Sequence, residues 1–266
     1  MYLFSMEQNS LSDTFFNSAI HSDVQCPMHL HYSMEIVYVK KGELIMNVNG
    51  VDRVIRSGQA TFISVFEPHS FFTPKSSVCI VTEFSPHLVS EFYSAVKAKK
   101  LVTEVFEING DFLRLLEDLS DRSVSNILSV KAALYPLCLR VTETCEFAND
   151  GKEIDSIFIE AVKYIYDHYS DENIDLNDVA KAIGVHPVYL SRVFSSNSGI
   201  GFSKYLALIR TYKAAQMLLK ESKKNISEVA FSCGFGSIRS FNRQFGDIFG
   251  VSPTEYRKNI NPQPDN

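Results

Sequence analysis

"GFGSIRSFNRQFGDIFGVSPTEYR", residues Gly234–Arg257, is the stretch on which the reading of this 266-residue chain turns. Aromatic residues punctuate it at Phe235, Phe241, Phe245, Phe249 and Tyr256; Arg239 and Arg243 stand four apart, and Gly250-Val251-Ser252-Pro253 breaks it. On a helix Phe241 and Phe245 share one face and pack inward, because residues four apart are surface neighbours. Ile238, Arg239, Asn242 and Arg243 fall off that stripe and are expected to face outward.

The chain carries this pattern twice. Val179-Ala180 matches Val229-Ala230, and Gly184 matches Gly234, at an offset of 50. Beyond the turn the offset is 51: Leu190 matches Phe241, Arg192 matches Arg243, Phe194 matches Phe245, Gly199 matches Gly250 and Tyr205 matches Tyr256. Each copy reads as a short helix, a turn at glycine and a second helix, which is a helix-turn-helix. Ala180 and Ala230 are small enough to let the paired helices approach. The outward positions are Val188, Ser191 and Arg192 in the first copy, and Ile238, Arg239, Asn242 and Arg243 in the second. From the major groove Arg bonds guanine bidentately, Asn pairs with adenine, and Val or Ile contacts a thymine methyl. These seven residues are therefore the candidate DNA-binding set. Between the copies, "FSKYLALIRTYKAAQMLLKES" reads as one long helix with Tyr205, Leu208, Ile209, Tyr212, Ala215 and Leu219 as its packed stripe. Such a helix can hold two recognition helices about 34 Å apart, one turn of B-DNA, so that both enter successive major grooves.

Charge points the same way. The net charge is −5, yet from His186 to Ile260 eleven Lys and Arg stand against four Asp and Glu, a local +7 that leaves −12 for the rest. A basic end on an acidic body predicts a local polyanion-binding surface, not a protein that coats nucleic acid. A single such stretch reads equally well as solvated helix charge; two aligned copies on a basic segment favour DNA.

Residues of about 157–257 resemble the C-terminal domain of AraC/XylS-type transcriptional regulators. The resemblance is carried by Gly234-Phe235, Ser240-Phe241, Arg243, Phe245, Gly250, Ser252-Pro253 and Tyr256-Arg257. It implies two helix-turn-helix units joined by a long helix, double-stranded promoter DNA as partner and RNA polymerase as a further one. It also assigns the base-facing role to the seven residues above. His186-Pro187 stands where the family usually has a Ser or Asn cap. Pro suits the first helical position, so the helix is expected there and the cap is not.

The N-terminal half reads differently. Residues of about 20–85 carry short runs rich in Val, Ile and Tyr, with Lys41-Gly42, Asn49-Gly50 and Ser57-Gly58 as turn signals. Closely spaced short strands predict a barrel or sandwich. Within "HLHYSMEIVYVKKG", His29, His31 and Glu35 share parity, so an extended strand would point them to one side. With His69 further on, the spacing resembles the cupin motifs. That resemblance implies one divalent ion, such as iron, manganese, zinc, nickel or copper, on His29, His31, Glu35 and His69 inside a β-barrel. The AraC-type resemblance implies instead a small-molecule effector pocket with no obligatory cofactor, at His29, His31, Glu35, Tyr38 and His69.

Beyond the barrel, about Leu88 to Asn149 has helical period, with Phe112, Leu115, Leu116 and Leu119 on one stripe and Pro136 as a kink or break. These helices either pair two copies of the chain or cap the barrel. The fold expected is α+β: an N-terminal cupin-like β-barrel with following helices, then an all-α domain with two helix-turn-helix units. The boundaries are 1–147 for the sensor (barrel 20–87, helices 88–147), 148–156 for a linker, 157–260 for the DNA-binding domain and 261–266 for a tail. There is no apolar run of about 18 residues, the N-terminus lacks a secretory pattern, and the five cysteines form no C-x-x-C. These expectations describe a cytoplasmic, homodimeric, effector-controlled transcriptional activator that is not an enzyme. The alternatives are a metal-dependent cupin enzyme, a dioxygenase or isomerase fused to DNA-binding helices, and a regulator whose barrel only dimerises.

Overall fold

The computed structural model describes residues 11–260 apart from 49, 103–104, 109, 122–125, 150 and 222–223. The first ten residues, Asn49 of the Asn-Gly turn, Asp150 of the linker and the 261–266 tail lie outside the described residues. The chain forms two compact units, divided between Ile154 and Asp155, and the class is α+β.

The first unit contains β1 (Phe16–Ser22), β2 (Gln25–His29), β3 (Met34–Val48), β4 (Val51–Arg56), β5 (Gln59–Ile63), β6 (His69–Phe72) and β7 (Ser77–Phe84). A 3-10 turn (Pro86–Val89) follows, then α1 (Ser90–Val96), β8 (Lys100–Leu101), β9 (Val105–Glu107), α2 (Gly110–Ser120), α3 (Ile127–Thr144) and β10 (Phe147–Ala148). Among the described residues the main sheet has eight strands in antiparallel pairs, and β3 is its hub, bonded to β4, β5, β6 and β7. The run Met34–Val39 is wholly buried. It lacks polar alternation because both of its faces are covered.

Lys41-Gly42 is not the turn its composition predicts. β3 continues through it, and the register against β7 shifts between Val39 and Lys41. Gly42 has φ +76, and a Cβ there would lie 2.0 Å from the Ser76 carbonyl oxygen. A polar residue followed by a positive-φ glycine signals either a turn or a bulge; here long-range pairing selects the bulge. Before it, β3 pairs with β5 and β7; after it, with β4 and β6.

Three further expectations change. The region after residue 88 is not purely helical: β9 extends the main sheet beside β5, and β8 pairs with β10. Strands of two and three residues are too short to show a period. β10 occupies residues 147–148, where the linker was expected to begin. Pro136 neither breaks nor ends α3, which runs from Ile127 to Thr144 with Val130, Leu134, Leu137, Cys138 and Val141 buried. Proline removes one backbone donor there, and the buried face holds the helix.

The second unit is helical: α4 (Ser156–His168), α5 (Leu176–Ala182), α6 (Pro187–Ser198), α7 (Phe202–Lys220), α8 (Ile226–Ser232), α9 (Ile238–Phe249) and α10 (Pro253–Ile260). Helix α7 is the long connector, 19 residues or about 28 Å at its standard rise. Tyr205, Ile209, Tyr212 and Ala215 are buried as expected, while Leu208 and Leu219 are half-buried. No described helix is long and apolar enough to cross a membrane. All five cysteines are buried, with no disulfide among the described residues.

Gly42 and Gly58 make a paired test. Gly58 has φ +90 but only Glu107 Oε2 near a would-be Cβ, at 3.7 Å. Gly58→Ala should cost about 1–2 kcal/mol for the left-handed backbone alone. Gly42→Ala should cost about 3 kcal/mol or more, because strain and overpacking combine. Urea unfolding of the full chain measures both; equal losses would show that the Ser76 carbonyl does not set the requirement.

Candidate nucleic-acid interface and barrel donor cluster

The two helical units are built by the same local devices. Both first helices, α5 and α8, start in a capping box. The Asp175 side chain accepts from Asn177 N and Asp178 N, and Asp178 Oδ2 accepts from Asp175 N. Asn225 and Glu228 repeat the exchange. Donation from the Asp178 backbone, with further help from Asn177, holds the Asp175 carboxyl below its ordinary range. The turns follow at Gly184 (φ +74) and Gly234 (φ +78), where Val185 N donates to Ala180 O at 2.9 Å and Phe235 N to Ala230 O at 3.2 Å. Helices α6 and α9 are each 12 residues long and end at left-handed Gly199 and Gly250. The aromatic pair beneath is also repeated: Phe194–Tyr205 at 5.6 Å and 72°, Phe245–Tyr256 at 5.2 Å and 76°.

The unexpected cap on α6 is His186 itself. Its Nδ1 accepts from Val188 N at 3.2 Å, with Pro187 at the first position, while α9 has the commoner Ser237 cap. Of the seven candidate DNA-binding residues, Val188, Ser191, Arg192, Arg239, Asn242 and Arg243 are exposed. Ile238 is half-buried and packs on the core of its own unit, which takes it away from the outward face expected of it.

Sequence reasoning missed Arg210 on α7. Its Nε donates to Tyr169 O at 2.8 Å and an Nη to Asp171 O at 2.6 Å. It lies against Gly234, where a Cβ would come within 2.4 Å of Tyr169 O and 2.9 Å of Arg210 Nε. This guanidinium ties the connector helix to the end of α4 and to the second turn. A cation within the largely apolar run Tyr205–Tyr212 was the available signal.

In the first unit His29, His31, Glu35 and His69 converge, all buried, with one donor atom of each within 4.8 Å of the others. His29, His31 and Glu35 do not share one extended strand, as their parity had suggested. His29 ends β2, His31 lies in the connection, Glu35 is on β3 and His69 opens β6 as the register partner of His29. Each ring presents Nδ1 to a backbone carbonyl: His29 to Pro27 at 2.9 Å, His31 to Ser33 at 2.9 Å, His69 to Glu67 at 2.7 Å. A carbonyl only accepts, so each Nδ1 is placed to donate, which turns the Nε2 side of the ring toward the cluster.

His31 Nε2 and His69 Nε2 lie 3.1 Å and 3.4 Å from Glu35 Oε2, and Glu35 Oε1 has no hydrogen-bond partner among the described residues. Burial, then the neighbouring His69 and His31, holds the His29 imidazole well below its ordinary range. For Glu35 burial is the largest influence and acts upward, but bonds and charge from His31 and His69 outweigh it and keep the carboxyl low. A lone pair facing a carboxylate is satisfied only by an added proton or by a cation. Three imidazole nitrogens, each oriented through its other nitrogen, and one carboxylate fit a divalent transition-metal ion.

Tyr38 is not part of this cluster. Three residues from Glu35 on a regular strand, it has the opposite parity, and the charges that act on it are Glu117, Lys40 and Glu107. The residue that sequence reasoning missed is Glu83 on β7. It is fully buried, with Oε1 4.0 Å from His31 Nε2 and Oε2 accepting from Asn17 Nδ2 at 2.9 Å. A lone acid in the apolar run "VCIVTEF" was its signal.

Comparison with known proteins agrees with both halves. A helix-turn-helix domain family matches residues 179–259 and a cupin domain family matches 20–84. The chain is 34% identical over 110 residues to the transposon Tn10 TetD protein of Escherichia coli, covering 41% of this chain and 79% of that one. It is 28% identical over 140 residues to the Msm operon regulatory protein of Streptococcus mutans, covering 52% of this chain and half the length of that relative. A crystal structure of ToxT from Vibrio cholerae with bound unsaturated fatty acid has the same fold, with TM-score 0.68, 13% identity and coverage of 94% of this chain and 98% of that one. The chain belongs to the AraC/XylS-type transcriptional regulators, with a cupin domain followed by the DNA-binding helix-turn-helix region.

The buried cluster is expected to make the protein acid-labile. The depressed His29 means that the unfolded chain takes up a proton more readily, so its contribution is complete above about pH 6.5 and falls as pH drops below it. The depressed Glu35 carboxyl adds a second loss as pH falls through and below about 4.5. Chelator-treated protein should melt at progressively lower temperature from pH 7.5 to pH 5; a flat melting temperature over that range would contradict the assignment.

Proposed function

We propose that this regulator binds promoter DNA through α6 and α9, with Arg192, Arg239, Asn242 and Arg243 toward base edges or phosphates and Val188 and Ser191 beside them. The observation that carries this reading is the repeated construction of the two units, which leaves the same outward faces exposed on both recognition helices. Half-buried Ile238 contributes to the placement of α9 more than to readout.

The effector that the barrel fits best is a divalent transition-metal ion on His29, His31, Glu35 and His69. When bound, the ion supplies a fixed positive charge between groups that otherwise present lone pairs to one another. An organic effector is the competing reading, since the ToxT structure holds an unsaturated fatty acid. Here a carboxylate ligand would meet Glu35 and Glu83, and the four donor side chains offer almost no exposed surface to a larger molecule. Occupancy would act by population shift, favouring whichever state binds the ion better.

A second copy of the chain is the partner proposed for α3, where Leu128, Tyr135 and Leu139 are exposed at spacings of seven and four along one face. RNA polymerase is the downstream partner that an activator requires, and the cytoplasm is its place of action.

Fluorescence anisotropy with promoter fragments tests the DNA reading. Affinity should fall with salt, the log–log slope reporting about 0.9 per phosphate neutralised. Arg243→Ala should lose about 1–3 kcal/mol of discrimination between sites. Equal wild-type affinity for every fragment would overturn sequence-specific binding. Elemental analysis tests the effector: one equivalent of a transition metal is expected, lost in His31→Ala, with DNA affinity changing on chelation. Unchanged DNA binding after complete metal removal would separate the ion from regulation.

A further inference from the structure

We infer that Arg210 locks the two helix-turn-helix halves at one fixed angle about α7, and that this lock makes the chain selective for the spacing between its two half-sites on DNA. The inference rests on the DNA reading above and concerns a residue that touches neither base nor phosphate in it.

Connector α7 belongs to two cores in turn. Near its start Tyr205 packs on Phe158 and Phe194 of the first half, with ring centroids 5.9 Å and 5.6 Å apart. Further along, Tyr212 packs on Phe249 at 5.3 Å, and Ala214, Ala215 and Leu218 join the core of the second half. Arg210 stands at the seam. The helices of one half pack on α7 and only sparsely on those of the other. A cleft of about 460 Å³ opens between Leu176 and Asn177 of the first half and Ser240 and Gln244 of the second. Two bodies joined by one helix can swivel about it unless something spans the seam.

Arg210 builds that span. Its Nε donates to Tyr169 O at 2.8 Å and an Nη to Asp171 O at 2.6 Å, so one planar group grips two carbonyls of the loop after α4. The fixed fork of a guanidinium suits such a double grip, where a lysine ammonium is a point charge. Burial draws the guanidinium below its ordinary range, and the charges of Asp171 and Glu172 push the other way. The turn of the second half closes on the same loop. A Cβ at Gly234 would lie 2.4 Å from Tyr169 O and 2.9 Å from Arg210 Nε, and one at Gly236 would lie 2.7 Å from Glu172 Oε1.

The repeat supplies its own control. Gly184 occupies the matching place in the first half, with φ +74 against +78 at Gly234, yet nothing lies within 4 Å of a Cβ there. The left-handed turn favours glycine in both copies. Only at Gly234 does the close approach of the other half require it as well. Tight packing in one copy alone belongs to the contact between halves, not to the turn itself.

B-DNA rotates about 35° and rises about 3.4 Å per base pair. A fixed angle between α6 and α9 therefore fits one spacing, because each added base pair carries the second half-site around the duplex. Halves free to swivel would follow it, with a lower effective concentration for the second contact.

The test uses the full chain and a duplex that the wild-type chain selects from a random pool, its two half-sites mapped by footprinting. Affinity is measured for this parent, for derivatives with one or two base pairs inserted between the half-sites, and for derivatives with either half-site scrambled. Wild type should lose at least about tenfold on a two-base-pair insertion. In Arg210→Gln, parent affinity should fall about tenfold and the insertion penalty should shrink below about threefold, while binding to the scrambled duplexes stays within about twofold of wild type. A general loss of structure would instead weaken all duplexes alike. Arg210→Lys keeps the cation without the fork and is the deciding variant if Arg210→Gln does not fold; its insertion penalty should be at most half that of wild type. A full wild-type penalty in the deciding variant would overturn the inference. So would a wild-type chain that needed both half-sites but tolerated insertions, and the DNA reading would then stand without the lock. A wild-type chain indifferent to scrambling of either half-site would overturn the two-helix reading and this inference together.

Discussion

The first unit depends on one strand doing two jobs. β3 pairs with β5 and β7 along its first half and with β4 and β6 along its second. That change of partners needs a corner, and the corner is the bulge between Val39 and Lys41, followed at once by Gly42, which packs against the Ser76 carbonyl. Every barrel donor is placed by this arrangement. Glu35 lies on β3 before the corner and faces Glu83 on β7, while β6, which His69 opens, pairs with β3 after it. His29 is brought in through β2, paired with β6. A polar cluster drawn from separate strands is possible because one long strand is shared by both walls of the barrel.

The second unit rests on repetition. Capping boxes, left-handed turn glycines, paired aromatics and left-handed end glycines occur in the same order around α6 and around α9. Each device is local, needing only residues a few positions apart. That is why this half was legible in the sequence: Gly184 and Gly234, or Phe194 and Phe245, report their surroundings without knowledge of the rest of the chain. The same locality explains His186, whose ring takes the place of a hydroxyl or amide cap by accepting one backbone N–H.

Long-range pairing was far less legible. The Lys41-Gly42 signal was visible, but whether it meant a turn or a bulge depended on partners tens of residues away. His29, His31 and Glu35 were found by spacing, yet the parity argument behind them assumed a single strand, and the chain bends between His29 and Met34. Tyr38 stands apart from the four donors for the complementary reason: nearness in sequence does not bring opposite faces of a strand together. Glu83 and Arg210 were each visible as one charge in an apolar run, but a charge alone does not name its partner. Asn17 and His31 for the first, and the carbonyls of Tyr169 and Asp171 for the second, are set only by tertiary structure.

The two recognition helices share a frame but not a surface. One presents Val188, Ser191 and Arg192; the other presents Arg239, Asn242 and Arg243. On a duplex, such a reader gives its binding site a head and a tail. Excising the bound segment and reinserting it in reverse would keep every base pair yet turn the protein end for end, exchanging which unit stands nearer the start of transcription. For a palindromic reader that inversion would be silent; for one copy of this chain, under the proposed DNA contact, strand polarity would become part of the message.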